Sequence, residues 1–231
     1  MAEPKEYRQA RFTRPPGAAE ILLVRHGESA PFREGMDVPL ADGHGDPPLD
    51  PVGEVQAVKV ADRLEGEDLA AIYVTSLKRT VQTAAPLVAR VGIQPAVEAD
   101  LREVFLGEWE GEKLRRYSAE RHPIAIQMYT EQRWDVIPGA EPSEAFAARI
   151  HGAIVRIAQR HPDQCVAVFT HGGVISQVLA QATASRPFAF LGADNGSISH
   201  VVVTPERWIV RRFNDTAHLS AGFSITPEPL I

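Results

Sequence analysis

The chain has one cysteine, few aromatic residues and no long hydrophobic run. Cys165 is the only cysteine among 231 residues, which excludes an internal disulfide and a cysteine-rich metal site. It lies in an apolar run and is predicted to pack in the core. No segment approaches the roughly 20 apolar residues that a membrane span requires, and residues 1–20 lack the apolar stretch of a signal peptide. These absences predict a cytoplasmic protein with no membrane partner.

An excess of positive charge is also missing. The chain carries 24 Lys and Arg against 30 Asp and Glu, a net charge of -6. Nucleic acid is therefore not an expected partner, and an anion site has to be a local cluster of cations. With 44% hydrophobic residues the chain can form one sizeable core. We predict one domain at 20–220, between irregular tails at 1–19 and 221–231.

Strand-like and helix-like patterns alternate along most of the chain. Strands are predicted at 21–25, 71–75 and 165–170, and a hairpin joins 198–203 to 208–213. A helix at 51–64 is indicated by Asp50 as its N-cap and by Pro51 at its first position. Further helices are expected to begin at Ser76, at Ser143 and after residue 171. The alternation predicts an α/β fold, a three-layer α/β/α sandwich with a mostly parallel mixed sheet.

Two of the predicted strands end in a histidine followed by glycine. His26 follows the first strand and His171 follows the third. Open α/β sheets build their sites at the C-terminal ends of strands. If the two strands are neighbours, both imidazoles face one pocket.

Arginines and glycines accompany these histidines. Arg25 precedes His26, and Arg79 lies one helical turn beyond the second strand, where it can point back to the same edge. Gly172 and Gly173 allow backbone amides to approach a ligand at a helix N-terminus. The planar guanidinium groups suit a phosphate, so the predicted ligand is a small phosphorylated substrate.

Phosphate chemistry can proceed on such a site without a metal. A neutral imidazole is a good nucleophile near pH 7, and a phosphohistidine divides one difficult displacement into two easier ones. The arginines and a protonated second imidazole would neutralise the transferred charge. Glu103, which follows a short β-like segment, is the best candidate for the group that protonates the leaving alcohol.

These residues resemble the histidine phosphatase superfamily, which includes cofactor-dependent phosphoglycerate mutases and many small-molecule phosphatases. The motifs are Arg25-His26-Gly27-Glu28-Ser29, Leu49-Asp50-x-x-Gly53-x-x-Gln56-Ala57, Ser76-x-x-Arg79-Thr80-x-x-Thr83-Ala84, Leu101-x-Glu103-x-x-x-Gly107-x-Trp109-x-Gly111, His171-Gly172-Gly173 and Asn214-x-x-x-His218-Leu219. The resemblance implies a phosphoglycerate mutase-like fold and no metal or organic cofactor. It also implies that His26 is phosphorylated, that Glu103 is the general acid and base, and that Arg25, Arg79 and His171 clamp the phosphoryl group.

The sequence determines the subtype and the substrate less closely than it determines the fold and the catalytic residues. The chain lacks the Trp-Asn pair and the long insertion typical of the mutases, which favours a phosphatase over a mutase. The same residues are also compatible with a non-catalytic phosphate-binding protein and with a metal-dependent hydrolase. Substrate choice is expected to lie in residues 30–48 and 112–142.

Several individual residues in and near those segments carry expectations of their own. Arg115 and Arg116 are expected to be solvated helix charges, although they could also bind a second anionic group. Glu141 is expected to cap a helix or line the pocket. Trp109 and Trp134 are each expected to pack in the core or to border the pocket. A homodimer is one expected assembly.

Overall fold

A six-stranded sheet lies at the centre of the computed structural model, which describes residues 5–33, 35, 37–111 and 113–220. The strands in chain order are β1 (Ala19–Arg25), β2 (Leu40–Ala41), β3 (His44–Gly45), β4 (Leu69–Val74), β5 (Ala96–Val97), β6 (Cys165–Thr170), β7 (Ile198–Val203) and β8 (Trp208–Asp215). Across the sheet the order is β5-β4-β6-β1-β7-β8, while β2 and β3 form a separate hairpin. Strands β5, β4, β6 and β1 are parallel, and β7 and β8 are antiparallel to their neighbours. The predicted mostly parallel mixed sheet is confirmed.

Helices cover both faces of this sheet. They are α1 (Pro51–Leu64), α2 (Lys78–Val91), α3 (Lys113–Ala119), α4 (Pro123–Glu131), α5 (Ser143–Arg160) and α6 (Gly172–Thr183). Alternate side chains of β1 point to opposite faces, as the pleat of a strand requires. Val24 joins a core with α1 and α2, whereas Leu23 joins a core with α5 and α6. The two cores give the predicted three-layer sandwich.

The helix starts show where local sequence determined the fold and where it did not. Helix α1 has the predicted bounds, and the Asp50 carboxylate accepts a hydrogen bond from the Val52 N–H at 3.0 Å. The expectation that Ser76 caps the next helix is wrong, because α2 begins at Lys78. Its first N–H is bound at 2.7 Å by the carboxylate of Asp46, which lies 32 residues earlier. Because this cap comes from a distant loop, the local sequence could not reveal it.

Cys165 begins β6 and packs against the core on the α1 and α2 side. Its side chain is half-buried, and burial raises the pKa of the thiol to about 12. The thiol is therefore protonated at neutral pH, which fits the predicted structural role.

Strands β1 and β6 are neighbours, and Arg25 pairs with Thr170 at their shared end. The residues that follow these two, His26 and His171, therefore emerge at the same edge of the sheet. Residues 5–18 precede β1, and the tail predicted at 221–231 lies outside the described residues, so the predicted domain division stays a prediction. None of the helices in the described ranges has the length and apolar character needed to cross a bilayer.

Candidate active site

The two histidine rings meet at the predicted edge of the sheet. The His26 and His171 ring centroids are 5.2 Å apart in an edge-to-face arrangement, and both side chains are buried. Because β1 and β6 are neighbours, the condition under which the sequence brings both imidazoles together is met.

The hydrogen bond of His26 fixes which of its nitrogens can react. Nδ1 lies 2.7 Å from the carbonyl oxygen of Gly27. A carbonyl only accepts, so Nδ1 carries the proton and the neutral ring has its lone pair on Nε2. Burial, followed by the positive charges of Arg79 and Arg25, lowers the pKa of His26 well below its usual value. His26 is therefore neutral at pH 7, with Nε2 available as a nucleophile.

His171 is held by a hydroxyl rather than by a carbonyl. Its Nε2 lies 3.1 Å from Thr75 Oγ1, which lies 3.0 Å from Thr80 Oγ1. Burial, then the charges of Arg79 and His26, lowers the pKa of His171 well below its usual value. His171 is therefore neutral in the described site, chiefly because it is buried, and the protonated second imidazole expected during phosphoryl transfer stays a prediction. An anion placed between these groups would raise the pKa of His171 again.

Arg25 and Arg79 supply the positive charge. Arg79 is buried, and its Nη1 donates to the carbonyl oxygen of Gly45 at 2.8 Å. Arg25 donates through Nη1 to the carbonyl oxygen of Ala193 at 2.5 Å, while its buried Nε has no hydrogen-bond partner among the described residues. Both arginines line a cavity of about 120 Å³ together with His26. The cavity therefore has the charge and the donors to hold a phosphoryl group.

Glu103 enters the same cavity and is anchored by two backbone amides. Its Oε2 accepts from the Gly173 N–H at 3.1 Å and its Oε1 accepts from the Val104 N–H at 3.0 Å. The amide of Gly173, expected to approach the ligand, is thus used to hold the carboxylate instead. A Cβ on Gly173 would lie 2.4 Å from Glu103 Oε1, so any larger residue here would displace the Glu103 carboxylate. Gly172 lines a second, larger cavity that adjoins this one. A Cβ on Gly172 would lie 3.4 Å from Arg25 Nε.

Four of the five residues predicted to be catalytic, Arg25, His26, Arg79 and Glu103, therefore line one cavity, and His171 joins them through its ring contact with His26. Residues 21–216 match the sequence model of the histidine phosphatase superfamily, branch 1. The chain belongs to this superfamily.

Superfamily relatives share most of the chain's length. A metal-independent phosphoserine phosphatase of Arabidopsis thaliana is 32% identical over 88% of this chain and 85% of its own. Phosphoglycerate mutase-like protein 4 of the same plant is 32% identical over 89% of both chains. The crystal structure of a phosphoglycerate mutase from Bacillus anthracis superposes with a TM-score of 0.73 at 21% identity, covering 88% of this chain and 96% of that one. The mutase-like fold expected from the sequence is thus confirmed.

The smaller cavity also contains a histidine that the sequence did not single out. His44 lines the smaller cavity, and burial lowers the pKa of its imidazole to about 4. Its 3.8 Å approach to Glu110 is therefore not an ion pair at neutral pH. The β2–β3 hairpin carries His44, and its turn residues Asp42 and Gly43 both have positive φ. An Asp-Gly pair is a strong hairpin signal, and it could have revealed this element.

Arg149 supports the Glu103 segment from behind. It donates to the carbonyl oxygens of Asp100, Arg102 and Glu103 at 2.5, 2.8 and 3.0 Å. Its guanidinium also forms a bidentate pair with Glu141 at 2.7 and 2.8 Å. Glu141 accepts a further bond from the Phe105 N–H and lines neither cavity, so it neither caps α5 nor faces the ligand. No local pattern indicated this arginine, because its carbonyl partners lie more than 40 residues away.

The two arginines of α3 have different surroundings. Arg116 is partly exposed and pairs with Glu120, as expected for a solvated helix charge. Arg115 donates to Ser29 Oγ at 2.6 Å and lines both cavities, so the same expectation is wrong for it.

The two tryptophans also differ, because Trp134 lines the larger cavity whereas Trp109 packs in the core.

Proposed function

We propose that the chain hydrolyses phosphate monoesters of small metabolites through a phosphohistidine on His26. The observation that carries this proposal is the neutral His26 ring with its lone pair on Nε2, in a cavity that also contains Arg25, Arg79 and Glu103. Membership of the superfamily and the similarity to a phosphoserine phosphatase support it.

The first step transfers the phosphoryl group to the enzyme. The Nε2 lone pair of His26 forms a bond to phosphorus while the bond from phosphorus to the ester oxygen breaks. Glu103, in its acid form, gives its proton to the leaving oxygen, so the alcohol departs neutral. Arg25 and Arg79 stabilise the charge on the other phosphoryl oxygens, and His171 binds the same group.

The second step regenerates the enzyme. Glu103, now a carboxylate, takes a proton from a water molecule, whose oxygen attacks phosphorus. The bond from phosphorus to His26 breaks, and inorganic phosphate leaves with the imidazole again neutral. Water is the acceptor in this scheme, whereas a mutase would return the phosphoryl group to an alcohol. Because one relative is a phosphoglycerate mutase-like protein, mutase activity is the second candidate.

The proposed chemistry requires neither a metal nor an organic cofactor, since the arginines supply the positive charge. Within the described ranges, no three His, Cys, Asp or Glu side chains converge as metal ligands. We expect full activity in EDTA, and loss of activity in EDTA would favour a metal-dependent hydrolase.

The direct test compares the wild type with His26→Ala in a steady-state assay of p-nitrophenyl phosphate. The proposal predicts release of inorganic phosphate by the wild type and essentially none by the variant. Equal rates would refute the phosphohistidine route, and absence of turnover in both would favour a non-catalytic phosphate-binding protein. With 3-phosphoglycerate as the substrate, isomerisation without release of inorganic phosphate would favour a mutase.

Further parts of the proposal rest on the sequence. We propose one catalytic domain at 20–220, a cytoplasmic location and a homodimer, with no nucleic-acid partner. Size-exclusion chromatography with light scattering tests the dimer, and a monomer at micromolar concentration would refute it.

A further inference from the structure

A second, larger cavity adjoins the one that holds the catalytic residues. Its volume is about 1070 Å³, and it shares the side chains of Arg25, Glu103 and Leu114 with the smaller cavity. Cavities above roughly 300 Å³ can enclose a ligand much larger than a phosphoryl group. The leaving alcohol of a substrate bound at His26 would therefore extend into this space.

One side of the larger cavity is built from aromatic and aliphatic side chains. We call Tyr129, Trp134, Phe188 and Leu191 the aromatic wall. The Trp134 and Phe188 ring centroids are 4.7 Å apart, and those of Tyr129 and Phe188 are 6.4 Å apart. Trp134 belongs to the core that includes residues of α5 and α6, and the other three side chains are partly buried against that core. Such a wall is complementary to an apolar or aromatic group.

Two polar atoms next to this wall are buried without a partner. The hydroxyl of Tyr129 and Oε1 of Gln132 belong to residues that line the cavity, and both atoms are buried with no hydrogen bond within the described part of the chain. Gln132 is the C-cap of α4 and has the left-handed conformation common at helix ends. Buried polar atoms are normally paired, so these two lack the partner that such atoms have in most folds. A hydroxyl or amide group on the ligand that reaches them would supply that partner.

Charged groups occupy other parts of the cavity. The charged lining residues within the described ranges are Arg25, Glu28, Glu103, Arg115 and Asp194. Arg25, Glu103 and Arg115 also line the smaller cavity. None of the five belongs to the aromatic wall, so a carboxylate or ammonium group in contact with the wall would lose water without gaining a counter-charge from those four side chains.

We propose that this cavity binds the alcohol part of the substrate, and that this part is an uncharged aromatic or branched apolar group with one hydrogen-bonding substituent. Phosphoserine and phosphoglycerate, whose alcohol parts are small and charged, fit the wall poorly. The inference rests on the proposed phosphatase function, because the cavity is assigned relative to the phosphoryl site.

The test uses two substrates with the same leaving chemistry. Ethyl phosphate and 2-phenylethyl phosphate both release a primary alcohol, so a difference in kcat/KM reports binding of the phenyl ring. Burying a ring of this size predicts a kcat/KM about 10- to 100-fold higher for 2-phenylethyl phosphate. L-phosphoserine and 3-phosphoglycerate are predicted to fall below it. A ratio near one, or preference for either charged substrate, would overturn the inference.

Variants locate the effect. Phe188→Ala is predicted to lower the ratio of kcat/KM for 2-phenylethyl phosphate to kcat/KM for ethyl phosphate about tenfold. The control is Phe213→Ala, which removes a partly exposed ring outside the cavity and is predicted to leave this ratio unchanged. An unchanged ratio in Phe188→Ala would contradict the assigned position. Tyr129→Phe is predicted not to lower the Tm of the free protein, because the hydroxyl has no structural partner there. A lower Tm would show that the hydroxyl serves the fold instead of a ligand.

The same experiments separate the two proposals. If the wild type hydrolyses p-nitrophenyl phosphate in a His26-dependent reaction but shows no preference for 2-phenylethyl phosphate, only the cavity assignment fails. If p-nitrophenyl phosphate is not hydrolysed, the proposed function fails first.

Discussion

Replacing Gly173 by alanine should separate the position of Glu103 from the rest of the site. The added Cβ would lie 2.4 Å from Glu103 Oε1 and 3.4 Å from Oε2. To reach ordinary van der Waals contact the carboxylate has to retreat by about 1 Å. It then also loses the 3.1 Å hydrogen bond from the Gly173 N–H. A displacement of this size at a proton-transferring group costs about 100-fold in rate, or about 2.7 kcal/mol of transition-state stabilisation.

The assay compares kcat/KM for ethyl phosphate and for p-nitrophenyl phosphate. This quantity reports the step in which the alcohol leaves, and p-nitrophenolate needs little help from an acid. We therefore expect kcat/KM to fall by the full factor of about 100 with ethyl phosphate and by a much smaller factor with p-nitrophenyl phosphate. The control is Gly152→Ala in α5, where the new Cβ would meet only the flexible end of Arg156. Equal losses with both substrates, or none, would refute the role assigned to Glu103.

Three further changes have defined outcomes. Arg149→Met removes the bidentate pair with Glu141 and should lower the free energy of unfolding, measured by urea titration, by about 3 kcal/mol. An unchanged free energy of unfolding would contradict the supporting role of this pair. For His44 the pKa falls from 6.5 when unfolded to about 4 when folded. The unfolded chain therefore binds the proton first as pH falls through this window, and up to about 3 kcal/mol of stability is lost. His44→Gln should weaken the loss of stability between pH 6.5 and 4, and an identical pH profile would exclude His44 as its source. Gly107→Ala places a Cβ at a φ of 56° against the backbone of Gly139, so its Tm should fall by several degrees, and an unchanged Tm would refute that contact.

The sheet and the first helix were predictable because their determinants are local. The apolar run before His26 has the length and composition of a buried strand, and Asp50 with Pro51 defines the start of α1 within two residues. The strand-end rule then placed His26 and His171 together without any contact information. The residues alone indicated Glu103 as the acid, whereas the choice of His26 as the phosphorylated histidine came from the resemblance to the superfamily.

The parts that the sequence did not reveal depend on contacts between distant segments. Asp46 caps α2 from a loop, and Arg149 reaches carbonyl groups more than 40 residues away. Arg115 belongs to a helix with an exposed charged face, yet its guanidinium turns inward to Ser29. The charge state of His171 could not be derived from local sequence for a related reason, because it depends on burial and on arginines from other elements.

Trapping of the phosphorylated enzyme tests the central claim most directly. The protein is mixed with substrate, quenched in base and digested, and the modified peptide is sequenced by mass spectrometry. Glu103→Gln should retain the intermediate longer than the wild type, because the base that activates water is missing. The account predicts an acid-labile phosphoryl group on His26 that is absent from His26→Ala. Turnover without any phosphorylated peptide, or with the phosphoryl group on another residue, would contradict it.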